Sequence, residues 1–425
     1  MRKLAYSLLS LCLGALTLAA QRGNTRQLRA NLLDSLVDEP VDSLVQHYLA
    51  RSGISTRQGN RITLLERGSK KFDDLLQHLG QAKQHIHMEY FNFRNDSISH
   101  RVFALLRQKA LEGVQVRVLF DAFGNMSNNQ PLKVRHLDSL RRDSVQIVKF
   151  DPIRFPWVNH ISSRDHRKLV IIDGAVGYIG GMNIADYYIK GLEGIGTWRD
   201  MHCRIEGPAV ADMQRIFVDM WRRSTGEALD SLQCYPPLDE LAEGSAVAIV
   251  DRSPREQPDA IKDAYALSIS GADSVVNIVN PYFVPTKAIM SAINKALDKG
   301  VEVNIMVSEK SDIPFTPEAM LHKLNKLSKR GARVHLYTEG FHHSKVMTVD
   351  AKLATVGSAN LNSRSLRYDY ETNAFIFDPA VTAQLDSIYT QDQKACIPLD
   401  RAYWRKRSLW KKFVGWFANI FTPFL

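Results

Sequence analysis

The chain has 425 residues, 45% hydrophobic and 24% charged, and its 55 Lys+Arg against 45 Asp+Glu give a formal net charge of +10. These are ordinary globular proportions, and they exclude wholesale disorder, a collagen-like fibre and a multi-span membrane protein. The length suits two or three domains, each able to bury a core, and the basic balance favours an anionic partner: nucleic acid, a membrane surface or a phosphate-bearing substrate.

The N-terminus runs Met1-Arg2-Lys3, then an uncharged, mostly apolar stretch from Leu4 to Ala20, with Thr17-Leu18-Ala19 as a small-x-small site. A basic start, a Leu-rich middle and a small-residue end are the parts of an export signal. The stretch also reaches the short limit of a membrane span, so an uncleaved anchor is the rival reading. Residues 1–20 are read as signal peptide or short anchor, and 21–60 as an N-terminal helical segment with an amphipathic helix from Asp42 to Leu49. Cys12, Cys203, Cys234 and Cys396 show no CxxC and no metal-like spacing. Removing a signal leaves three cysteines, expected to be buried free thiols.

Residues 84–124 read as strand, helix, strand. His85 to Phe91 is β-rich, Val102 to Leu111 has helical spacing, Gly113 ends the helix, and Val114 to Phe120 is a second strand. Residues 275–307 repeat that order, with strands at Val275–Val279 and Val301–Val307 around a helix at Ile289–Leu297. The Pro-rich stretch from Pro236 to Pro258 is the natural linker. The boundaries are therefore 61–240 for a first lobe and 241–400 for a second. The fold class is α/β: two duplicated lobes, each a mixed, mainly parallel sheet flanked by helices, related by a pseudo-two-fold axis.

Each repeat ends in one pattern: His166-Arg167-Lys168, Asp173 and Gly180-Gly181-Met182-Asn183, then His343-Ser344-Lys345, Asp350 and Gly357-Ser358-Ala359-Asn360. His to Asp is seven positions and Asp to Asn is ten in both copies. His and Lys two apart on a strand project to one side, and glycine at the following turn lets the backbone and the Asn approach a ligand. The folded halves thus gather two His, two Lys and two Asn around one phosphate. That set suits a two-step displacement, in which one imidazole attacks phosphorus and the other first protonates the leaving oxygen and then acts as base. Lys168, Lys345, Asn183, Asn360 and Ser358 are the expected phosphate-binding groups.

Asp173 and Asp350 complete the motifs and are grouped with the catalytic residues, although their position after apolar strands suits turn or buried hydrogen-bonding residues better than catalysts. Each His wants an acidic orienter. Asp200, 34 residues after His166, and Glu371, 28 after His343, are the candidates, each for the histidine of its own repeat. No metal or other cofactor is expected. His85 and His87 are read as structural, His342 as pointing away from the reactive side, and Lys70 with Lys71 as a solvated helix face.

Residues 401–425 hold six Lys/Arg, no acid and three of the six Trp. Trp410, Phe413, Val414, Phe417 and Phe421 fall on one helical face, flanked by Lys411 and Lys412. A basic, aromatic amphipathic helix suits an anionic bilayer interface; the rival is a helix that docks its apolar face on the protein's own core. With Arg2 and Lys3, this tail accounts for nearly all the net charge, leaving residues 4–400 close to neutral.

Through its paired HxKxxxxD motifs the chain resembles the phospholipase D superfamily. Through Glu89-Tyr90-Phe91, Gly180-Gly181-Met182-Asn183, Trp198-Arg199-Asp200, Pro281-Tyr282-Phe283-Val284-Pro285 and Val356-Gly357-Ser358-Ala359-Asn360 it is similar to bacterial cardiolipin synthases, from about Arg61 to Leu425. The resemblance implies conversion of two phosphatidylglycerol molecules to cardiolipin and glycerol through a phosphatidyl-histidine, with His166 as nucleophile and His343 as acid/base. It implies phosphatidylglycerol and an anionic membrane surface as partners, with no nucleic acid. With the export signal or anchor at residues 1–20, the expected place is the bacterial cell membrane, peripheral or anchored, with the lobes on the extracytoplasmic side. Two lobes complete one site, so no oligomer is required. A hydrolytic phospholipase D, a phosphodiesterase nuclease and a lipid-binding scaffold with a vestigial site are the competing readings.

Overall fold

A computed structural model describes residues 39–152, 163–229, 234–236, 242–312 and 316–419. The signal or anchor segment 1–20 and Phe421 lie outside these residues.

The first lobe contributes β1 (Thr56–Leu65), β2 (His85–Tyr90), β3 (Gln115–Asp121), β4 (Gln146–Phe150), β5 (Lys168–Ile172), β6 (Val176–Gly180), β7 (Thr197–Arg199) and β8 (His202–Glu206). The second contributes β9 (Ser245–Arg252), β10 (Val275–Val279), β11 (Glu302–Ser308), β12 (Arg333–Tyr337), β13 (Gly340–His342), β14 (Val346–Val349), β15 (Leu353–Gly357), β16 (Glu371–Phe377) and β17 (Cys396–Pro398). Fifteen of these form one sheet, ordered β17-β12-β11-β10-β14-β15-β16-β9-β1-β8-β6-β5-β2-β3-β4. Read outward from the central β9–β1 pair, the two halves have the same connectivity, so the duplication inferred from sequence is visible strand by strand. Parallel pairing in this sheet is confined to β2-β3-β4 and β10-β11-β12, the units closed by crossover helices; the sheet as a whole is mixed.

The helix after β2 spans Ser97–Leu111, and Asp96 caps it by accepting from the Ser99 N–H at 3.2 Å. Its counterpart after β10 spans Lys287–Asp298. β2 and β5 are buried at every position, as strands covered on both faces must be. One apolar cluster fills each lobe, and a third runs beneath both, from Leu169 and Phe217 to Val356 and Leu385.

Two differences from the sequence-based expectation have local causes. The first lobe begins at Thr56, inside the segment assigned to helix. Its opening strand is irregular between Arg57 and Asn60, with Gly59 at φ +71°, which disguises the β alternation. The N-terminal helix, Val41–Arg51, is amphipathic as expected, and its apolar face is buried in the second lobe's core through Val41, Val45, Tyr48 and Leu49. Cys203 is a buried free thiol as expected, whereas Cys396, at the start of the edge strand β17, is free but only half-buried.

The tail forms helices Arg401–Lys406 and Leu409–Ala418, with Ser408 capping the second. That helix packs on helix Thr316–Lys329 through Gly415, where a side chain would meet the Glu318 carbonyl oxygen at 2.6 Å. Val414 and Asn419 are half-buried beside this contact. The opposite side presents Leu409, Trp410, Phe413, Trp416 and Phe417, exposed by 49–83%. Docking therefore uses the small residue and leaves the aromatic face open. Among the described residues no helix is long and apolar enough to cross a membrane.

Candidate active site

His166 and His343 lie just before β5 and β14, where each chain segment leaves one lobe's sheet at the seam with the other. The His166 N–H donates to the Tyr370 carbonyl at 3.0 Å and the His343 N–H to the Arg199 carbonyl at 2.6 Å, both across the seam. β13 pairs with β7 in parallel, Phe341 opposite Trp198. These cross-lobe backbone bonds bring each imidazole to the other lobe's acid. His166 Nδ1 contacts Glu371 Oε1 and Oε2 at 3.0 and 3.1 Å, and His343 Nδ1 contacts Asp200 Oδ2 at 2.7 Å. The pairing expected within each repeat is thus corrected: Asp200 orients His343 and Glu371 orients His166. Similar sequence offsets in the two copies carry no information about which lobe an acid faces.

Asp200 and Glu371 are fully buried, and each has its own accommodation. A side chain at Gly181 would approach Asp200 Oδ1 to 2.3 Å, so glycine makes room for that carboxylate. The corresponding residue in the second lobe, Ser358, donates its hydroxyl to Glu371 Oε2 and accepts the Thr372 N–H at 3.0 Å. Ser358, expected to bind phosphate, is engaged here in holding the orienting acid.

Both lysines are buried beside their histidines. Lys168 Nζ donates to the His166 carbonyl and Lys345 Nζ to the His343 carbonyl. Burial lowers Lys168 to about 8 and Lys345 to about 7, against the pull of Glu371 and Asp200. Burial and then the Lys168, Lys345 and Arg364 charges hold His166 well below its ordinary 6.5. Burial, aided by Lys345 and opposed by Asp200, lowers His343 to about 4. Burial pushes Glu371 up to about 7. For Asp200 burial acts upward too, but the charges of Lys345 and His343 outweigh it and hold the carboxyl below its usual value. These shifts favour neutral imidazoles beside the two buried lysines.

One cavity of about 800 Å³ is lined by His166, His343, Asn183 and Asn360 together. Asn183 Nδ2 donates to Tyr188 Oη and Asn360 Nδ2 to Ser365 Oγ, each at 3.4 Å, and Asn360 Oδ1 is buried without a hydrogen bond. Phe91 and Tyr282 occupy matching places after β2 and β10 and flank His166 and His343, with ring centroids 5.0 and 5.9 Å away. Leu192, Ile195 and Phe123 add apolar wall from the first lobe; Arg364 and Asp312 add charge from the second.

Asp173 and Asp350 do not join this cluster. They stand at the far ends of β5 and β14 with φ of +52° and +51°, followed by Gly174 at +64° and Ala351 at +55°. Paired left-handed residues are the signature of a type I′ hairpin turn. The Asp173 carboxylate accepts the N–H groups of Lys83, Gln84 and His85 at 2.7–2.9 Å. Asp350 accepts those of Asp273, Ser274 and Val275 at 2.8–2.9 Å. They are corrected from the catalytic group to hairpin residues that fix the starts of β2 and β10.

Sequence reasoning missed the ion network beneath the site. Arg167, between His166 and Lys168, points to the opposite face and binds Glu89 at 3.1 Å and Asp251 at 2.7 Å, tying β2 to β9 across the seam. Strand alternation was the available signal. Lys71, expected on a solvated face with Lys70, is fully buried against the Phe72 and Tyr90 rings. His342 turns away to Asp392 at 3.0 Å, and His85 and His87 stack beside Gln214, as the sequence suggested.

A family profile described as "Cardiolipin synthase, PLD-like domain" matches residues 75–221 and 266–393, one stretch in each lobe. The chain belongs to the cardiolipin synthase family. It is 33% identical over 384 residues to a cardiolipin synthase of Listeria monocytogenes serotype 4b (strain CLIP80459), covering 90% of this chain and 79% of the relative. It is 34% identical to cardiolipin synthase 2 of Staphylococcus epidermidis (strain ATCC 12228 / FDA PCI 1200), covering 90% and 78%. Among solved structures, phosphatidylserine synthase from Haemophilus influenzae Rd KW20 superposes with a TM-score of 0.70 at 15% identity, covering 90% of this chain and 100% of that one. Polyphosphate kinase from Porphyromonas gingivalis gives 0.53 at 14% identity, covering 80% and 49%. The structural likenesses establish the fold, and family membership makes this chain a phosphatidyltransferase of the phospholipase D superfamily.

Proposed function

We propose that this member of the family transfers a phosphatidyl group between two phosphatidylglycerol molecules, yielding cardiolipin and glycerol, through a covalent adduct on His166. The observation that supports it is the pair of imidazoles lining one cavity, each with Nδ1 engaged by a carboxylate of the opposite lobe, which leaves Nε2 for substrate.

In the first step the His166 Nε2 lone pair forms a bond to phosphorus. The bond from phosphorus to the glycerol oxygen breaks, and His343, protonated, gives that oxygen its proton. An entering phosphodiester anion offsets the charge of Lys345 and so favours the His343 imidazolium that this step needs. In the second step a hydroxyl of the next phosphatidylglycerol passes its proton to His343, its oxygen bonds phosphorus, and the N–P bond breaks. Lys168, Lys345, Asn183 and Asn360 carry the charge on the non-bridging oxygens.

The exposed aromatic face of helix Leu409–Ala418, beside Arg405, Lys406 and Lys411, supports seating on an anionic bilayer, where lipid substrate resides. Purified protein incubated with phosphatidylglycerol vesicles should release cardiolipin and glycerol in equal amounts. Phosphatidic acid as the main product would replace the synthase reading with a hydrolase, and inert lipid alongside cleaved DNA would replace it with a nuclease.

A further inference from the structure

The cavity that must hold a phosphodiester anion also carries a carboxylate with no ion pair among the described residues. Asp312 lines it on the second-lobe side, next to His343, and its charge acts on both His343 and Lys345. The Tyr282 hydroxyl donates to Asp312 Oδ1 at 2.7 Å, and the Tyr282 ring packs on His343 at 5.9 Å. The other acid of this wall, Asp369, is engaged by Arg364 at 3.0 Å and by the Arg164 N–H at 3.1 Å. The first lobe's wall offers no matching acid among the described residues; there Phe91, Phe123, Leu192 and Ile195 alternate with neutral Asn92, Asn128 and Asn129, and Arg94 is its charge.

A carboxylate repels a phosphate and so belongs at a part of the substrate that is neutral and rich in donors. Hydroxyl pairs are such a partner, because each O–H donates and an ionised carboxylate only accepts. In the proposed reaction both the leaving group and the acceptor present a glycerol unit, and both exchange a proton with His343.

We propose that Asp312, oriented by Tyr282, forms a polyol subsite beside His343 that receives the leaving glycerol and then the glycerol headgroup of the acceptor lipid. The inference rests on the synthase reading and deepens it. The two walls then have different roles. The first-lobe wall, which has no acid among the described residues, lies along the donor, and Asp312 on the second-lobe wall selects hydroxyl-rich acceptors over simple alcohols and water.

The test supplies phosphatidylglycerol with ¹³C-labelled glycerol and 1-propanol together as soluble acceptors, and measures by mass spectrometry the phosphatidylglycerol that has gained labelled glycerol, the phosphatidylpropanol and the phosphatidic acid from the same reaction. Ratios among products of one enzyme sample are independent of how much of a variant is folded. Wild-type protein should favour glycerol over 1-propanol. Asp312→Ala should lower that preference at least about tenfold, the scale of a hydrogen bond to a charged group, and raise the share of phosphatidic acid. Asp312→Asn, which keeps one acceptor oxygen, should fall between, and Tyr282→Phe should show a smaller loss. An unchanged glycerol preference in Asp312→Ala overturns the subsite while leaving the synthase reading intact. Wild-type protein that makes phosphatidic acid and transfers to neither alcohol overturns the synthase reading and the subsite with it.

Discussion

At the scale of single residues, the crossed contacts of His166 with Glu371 and His343 with Asp200 fix which acid serves which imidazole. Glu371→Gln should perturb the ring-nitrogen NMR signals of His166 and leave those of His343 in place, and Asp200→Asn should do the reverse; pairing within each repeat would exchange these outcomes. Each variant should lower kcat by about 10²- to 10⁴-fold, as loss of an orienting carboxylate does in serine hydrolases. On the proposed mechanism the lysines set the alkaline limit. Burial puts them at about 7 and 8 in the free enzyme, and only their protonated forms bind a phosphate anion. Accordingly kcat/KM should fall as pH rises past about 7 and more steeply past about 8, while His166, held well below 6.5, stays neutral throughout that range. A profile that keeps rising to pH 10 would refute the role of the lysines. At the hairpin turns the two repeats differ: Gly174 adopts its left-handed φ freely, whereas Ala351 carries a Cβ into the same region. Ala351→Gly should therefore stabilise the protein by about 1 kcal/mol in denaturant titration.

At the scale of elements, what was legible in the sequence follows from period and spacing. Strands β2, β3, β10 and β11 and the helices between them are within a few residues of their predicted bounds, because β-rich runs and helical spacing follow one another with glycine between. The Asp173-Gly174 turn was equally available, since Asp-Gly between apolar strands is a hairpin signal, but the repeated His-Lys-Asp spacing drew Asp173 toward the chemistry. Lys71 could not be read as buried: its neighbour Lys70 is exposed and pairs with Glu66, and two adjacent lysines look alike in sequence. The tail lies between these cases. Its amphipathicity was visible, but Val414 belongs to the docked side and Trp416 to the open one, because Gly415 sets the contact. Replacing Trp410, Phe413 and Phe417 by Ser should reduce binding to anionic vesicles and activity on them by about tenfold or more, with little change on detergent-dispersed lipid. Equal losses in both would refute the interfacial role.

At the scale of the whole molecule, the lobes are joined by a shared sheet, by the β7–β13 pair and by the buried Arg167 network. Removing one partner of a buried ion pair leaves the others uncompensated, so Arg167→Met should cost about 3–5 kcal/mol, read as a lowered unfolding midpoint. The crossed contacts have a mechanical consequence as well. Because each half holds the other's imidazole, a slip of about 1 Å along the seam would release both rings together, without melting either core. The active site is in this sense a gauge of how well the halves are seated. In mild denaturant, turnover should vanish before the far-ultraviolet circular dichroism changes, and it should return on dilution as quickly as the seam closes.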